Sequence, residues 1–180
     1  LCIAFTLQAQ RAPFKLGKVP MKDLKMKFYP QDSTVDAAIL SDYGHLNIDQ
    51  VQFTHMRRIK IFSKEGLNQL ILRALVENKS DFRGFVINEV DGKIVKEKIS
   101  KDHIFIERSE GYSNIRVAPP NVREGSVVDI SYSYNGIPSL WQFQQRIPVL
   151  YSEIFIPQSS TVSFSFTQIG YEMLELVQLG

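Results

Sequence analysis

Few residues in this chain could do chemistry, and they are scattered. The histidines are His45, His55 and His103, each in a different stretch. None are spaced as a helical pair on one metal ion, and no His-Glu-x-x-His run occurs. The one thiol, Cys2, lies at the extreme N-terminus. An intrachain disulfide cannot form, and a zinc site built on several thiolates is excluded. The Gly-x-Ser-x-Gly elbow of a serine hydrolase is absent, as are phosphate-binding glycine loops and the Asp/Asn ladder of a calcium loop. No metal and no cofactor is therefore expected.

Three groups of residues still invite a functional reading. Glu89, Glu97, Glu107, Glu110, Glu124, Asp129 and Glu153 supply carboxylates, and a glycosidase needs two of them across one cleft. Sequence does not set that distance. His55, in "FTHMRRIKI", shares parity with Phe53, Ile59 and Ile61 and is expected to point inward beside Arg57. A buried histidine with a charged neighbour can be catalytic, although more often it is a hydrogen-bonded structural residue. The third group is "WQFQQR". Trp141, Phe143 and Arg146 there are the interface or ligand candidates. Such a group suits a carbohydrate-binding face or a domain contact; alternatively, Trp141 plugs one end of the fold.

The elements that must position these residues read as strands. At 180 residues, 44% apolar and 22% charged, the chain can bury one real core. A net charge of +2 argues neither for nor against a partner, but Lys and Arg are spread among Asp and Glu and not gathered as a nucleic-acid binder's are, so no nucleic acid is expected. No apolar run in the chain interior is long enough to span a bilayer. In "NVREGSVVDISYSYNG", Val128, Ile130, Tyr132 and Tyr134 alternate with Val127, Asp129, Ser131 and Ser133 between two turn signals. "FVINEVDGKIVKEKI" reads as a hairpin on Asp91-Gly92. "AAILSDYG" reads as a strand ending in a Tyr-Gly turn. His45 to Phe62 reads as one long β segment whose apolar face switches near Asp49–Gln50, as a bulge would produce. Leu67 to Val76 favours strand over helix. Two more strands flank Glu110-Gly111, and "VLYSEIFIP", apolar on both faces, reads as a central strand. "TVSFSF" alternates Val162, Phe164 and Phe166.

The expected fold is therefore all-β, a sandwich of about nine to eleven strands (immunoglobulin-like or larger). One or two short helical turns near Pro20 precede it. Residues 1–9, apolar then small and polar, read as the remnant of a signal peptide. Residues 10–35 form a lead-in, 36–170 the β-sandwich domain, and 171–180 the start of a linker or next domain. A secreted protein is expected from the signal-peptide reading.

Five stretches carry a family resemblance: "LKMKFYPQDSTVDAAILSDYG", "HMRRIKIFSKEGL", "GKIVKEKISKDHIF", "APPNVREGSVVDISYSY" and "IPVLYSEIFIP". In this order the chain, from about Phe14 to Pro157, resembles the domain of unknown function that precedes transglutaminase-like cores in secreted or periplasmic bacterial proteins. The resemblance implies a β-sandwich module followed by a papain-like core with a Cys-His-Asp triad. None of that triad falls in this chain. The implied role is non-catalytic and accessory, with the downstream transglutaminase-like domain as partner. The alternative is a glycan- or peptide-binding module of the bacterial cell envelope.

Overall fold

The computed structural model describes residues 12–74, 81–109, 112–159, 163–165, 167 and 169–170. Residues 1–9, Val76, the Glu110-Gly111 turn, Val162, Phe166 and residues 171–180, all named above, lie outside the described residues.

The chain is all-β. Among the described residues a short helix, α1 (Met21–Lys25), is followed by nine strands. These are β1 (Ala37–Asn47), β2 (Gln52–Ile61), β3 (Ile71–Ala74), β4 (Phe82–Val90), β5 (Lys93–Lys98), β6 (Ile104–Ser109), β7 (Tyr112–Val117), β8 (Val127–Asn135) and β9 (Ser152–Phe155). They form a six-stranded sheet in the order β5-β4-β8-β2-β1-β9 and a three-stranded sheet in the order β3-β7-β6. Among the described residues no helix is long and apolar enough to cross a membrane.

Strand alternation builds two apolar layers. Ile39, Ile59, Ile61, Val86, Val128 and Ile130 face Ile104, Ile115 and Val117 of the smaller sheet, forming the sandwich core. On the opposite face of the large sheet, Ile87 and Val127 are covered by Val19 and Leu24 of the lead-in. Strand β8 thus divides its side chains as its sequence parity requires, Val128 inward and Val127 toward the lead-in. The β4–β5 hairpin turns on Asp91 and Gly92, both left-handed with φ of 52° and 74°. This is the backbone that a two-residue turn matching strand twist demands.

Four expectations need correction. Tyr43-Gly44 is not a turn: β1 runs straight through it to Asn47. Asp49–Gln50 is not a bulge within a strand but part of the hairpin turn between β1 and β2, which explains the change of apolar parity. The bulge lies elsewhere, between Ile39 and Ser41 of β1, and brings Ile39 and Asp42 onto one face. The strand in "VLYSEIFIP" lies at the edge of the sheet among the described residues, parallel to β1. The stretch from Leu67 is divided between a one-turn 3₁₀ segment over Glu65–Gln69 and strand β3.

Candidate functional site

The β1–β2 register sets Asp42 opposite Arg57 and Gly44 opposite His55, and β8 sets Tyr132 beside His55. All lie on the face that carries Ile59. The Asp42 carboxylate is fully enclosed and accepts four hydrogen bonds. Its Oδ1 takes His55 Nε2 at 2.5 Å and Arg57 Nε at 3.0 Å. Its Oδ2 takes an Arg57 terminal nitrogen at 3.1 Å and Gln145 Nε2 at 2.9 Å. With Nε2 donating, the other nitrogen of a neutral His55, Nδ1, accepts from the Tyr132 hydroxyl at 2.5 Å.

The charges follow from these contacts. Burial pushes the Asp42 carboxyl up, but the His55 and Arg57 contacts outweigh it and hold the group below the usual carboxylate value. Burial draws the His55 imidazole below its ordinary value, with the Asp42 contact opposing. Burial raises the Tyr132 hydroxyl well above its ordinary value. An Asp–His–hydroxyl relay can activate a nucleophile. Here its hydroxyl end is a phenol only 4% exposed, kept protonated and already donating to the imidazole. The relay ends inside the core, and its evident work is to join β1, β2 and β8.

Two further cations serve the opposite face. Arg58 pairs with Asp129 through Nε and a terminal nitrogen at 2.8 and 2.9 Å, and donates to the Lys18 carbonyl at 2.8 Å. Its guanidinium lies over the Phe14 ring, and Asp129 also accepts the Gly17 N–H at 2.8 Å. This cluster fastens the lead-in to the sheet. Lys60 is buried, with Nζ donating to the Leu24 and Gly125 carbonyls, each at 2.6 Å. Burial draws its amine down to about 8, opposed by Asp23 and Glu89.

The stretch between β8 and β9 carries the three candidates. Trp141 is half-buried. Its ring packs on His55 and Phe53, centroids 4.8 and 6.0 Å away, and its Nε1 donates to Ser152 Oγ at 3.1 Å. It lies over Gly44, where an added Cβ would come within 2.8 Å of the indole. Phe143 is half-buried and Arg146 exposed. The residue of this stretch that reaches the buried carboxylate is Gln145, which the sequence reading passed over. Gln144 adds a reciprocal pair with Val149, at 3.1 and 3.3 Å.

No family model matches the chain, and no curated protein matches it significantly. Function therefore rests on the residues themselves and on the resemblance carried by their order. His55 faces inward as its parity suggested. Asp42 was missed because its partner becomes visible only once the turn after Asn47 is recognised; the pairing Asp42↔Arg57 then follows by counting outward. Nothing local in the sequence marks Gln145. Among the described residues, no group of three or more His, Cys, Asp and Glu is placed to hold a metal ion.

Proposed function

We infer that this chain is a non-catalytic β-sandwich domain that positions or shields a transglutaminase-like core carrying a Cys-His-Asp triad, in a secreted or periplasmic bacterial protein. The resemblance in the five stretches supplies the family. The observation that carries the docking role is the apolar surface between β8 and β9. Ile137 is 49% exposed, Leu140 67%, Leu150 45% and Tyr151 47%. Large apolar side chains held in the open along one stretch suit a protein contact. Gln145 and Trp141 fasten that stretch to the sheet and Gln144 braces it internally against Val149, so little ordering cost opposes association. Arg146 supplies an exposed guanidinium beside it. The use of Asp42, His55, Arg58 and Asp129 in internal bonds supports the same reading, since those groups are committed to holding the domain together.

The first test is to read the coding DNA past codon 180 for Cys, His and Asp at transglutaminase-like spacing. If such a core follows, it is produced separately and titrated calorimetrically with this domain. Leu140→Asp should weaken association at least tenfold, as loss of a central apolar contact does. An open frame without such a core, or a core indifferent to Leu140→Asp, would sink the proposal.

A glycan- or peptide-binding module would use the same stretch differently. The half-exposed Trp141, with Gln142 and Gln144 exposed beside it, favours that second reading. Heat on titration with envelope glycans, lost in Trp141→Ala, would support it over domain docking.

A further inference from the structure

Strand β5 ends one side of the six-stranded sheet, and no strand lies beyond it among the described residues. It pairs with β4 from Val90↔Lys93 to Phe85↔Lys98. Just past it, Ile99 donates its N–H to the Gly84 carbonyl of β4 at 2.9 Å. Backbone groups alternate sides along an antiparallel strand. The odd residues Lys93, Val95 and Glu97 therefore turn theirs toward β4. Ile94, Lys96 and Lys98 turn theirs outward, a row of donors and acceptors able to receive another strand.

The side chains divide by face. Val95 and Glu97, paired with Asn88 and Val86, share the face that carries a cleft of about 290 Å³. Val90, Val95, Val122, Glu97 and Arg123 line it. Ile94, Lys96 and Lys98 stand on the other face. A strand added at this edge would send alternate side chains toward the apolar cleft and the rest beside Lys96 and Lys98. Lys96 and Lys98, exposed on that other face, complement an acidic strand, because opposite charges directly across strands attract.

We propose that the β5 edge binds an extended peptide in which acidic and apolar residues alternate, adding it to the sheet as a further strand. The surface lies at the opposite edge from β9, so it is independent of the docking role inferred above.

The test is fluorescence anisotropy of this chain with a labelled, end-blocked hexapeptide alternating Glu and Val. Saturable binding is expected. In Lys96→Glu/Lys98→Glu, both positions exposed, affinity should fall about tenfold, the sum of two reversed surface charges. The same variant should gain affinity for a hexapeptide alternating Lys and Val. N-methylation of alternate backbone nitrogens in the Glu/Val peptide should remove binding to the unaltered protein, which keeps the proposal testable should the variant not fold. Equal binding of a peptide with its Glu and Val residues in separate blocks would overturn it, since charge alone would then suffice. So would indifference to N-methylation, or no saturable binding at millimolar peptide.

Discussion

Gly44 is where one absent methyl group decides a local arrangement. It sits mid-strand opposite His55, and an added Cβ would come within 2.5 Å of the Phe53 ring and 2.8 Å of Trp141. Both contacts are far shorter than packed carbon atoms tolerate. Gly44→Ala should therefore lift the indole from the sheet and destabilise the fold by about 1–3 kcal/mol, the usual cost of overpacking. Trp141 is the only tryptophan, so its emission reports this directly: a red shift in the folded variant is expected, and an unchanged spectrum would contradict the packing. At this scale the sequence was legible where a residue's strand neighbours share its fate. Val128, Ile130 and Tyr132 could be sorted by parity alone. Asp42 could not, because its environment is made by residues that reach it only through folding, above all Gln145.

Between elements, the turn closing β1 onto β2 is the informative one. Val51 there takes a left-handed backbone, φ 47°, which crowds a β-branched side chain. Its side chain is 48% exposed, so little core packing compensates. Val51→Asn should stabilise the protein by about 1 kcal/mol, since asparagine tolerates this conformation; the urea midpoint would measure it. The same residue explains why the hairpin escaped the sequence reading. A turn without glycine, ending on a valine, looks like strand. Asp91-Gly92 has the residues its backbone needs and was legible at once. Strand β9 misled in another way. Apolar residues on both faces ordinarily mean a central strand, yet β9 is only half-buried and adjoins the exposed Leu150 and Tyr151.

For the molecule as a whole, the buried relay sets how stability responds to acid. His55 has a folded value below its ordinary 6.5, and Asp42 one below its ordinary 3.8. In each window between folded and unfolded values the unfolded chain binds more protons, so falling pH favours unfolding. The share of stability from these two groups should be full above 6.5, decline as pH falls from 6.5 toward the His55 value, and decline again below 3.8. His55→Gln should shrink the first decline to the share of His45, whose imidazole burial also draws below its ordinary value, and should weaken the second, because the His55 contact is what chiefly holds Asp42 down. Urea midpoints across this range would check it, and a first decline unchanged in the variant would assign it to another group. The all-β sandwich itself was legible from spacing and turn residues. Sheet order was not, because β8 joins β2 and β4 from far along the chain.

That late arrival has a consequence for synthesis. A ribosome delivers β1, β2, β4 and β5 first, as two hairpins with no strand between them. β8, which lies between β4 and β2, emerges only with Asn135. Until then two raw strand edges face each other across an empty slot, a state prone to sticking to other nascent chains. Because β8 lies between the two hairpins, neither can complete its pairing in the sheet until that strand has been made.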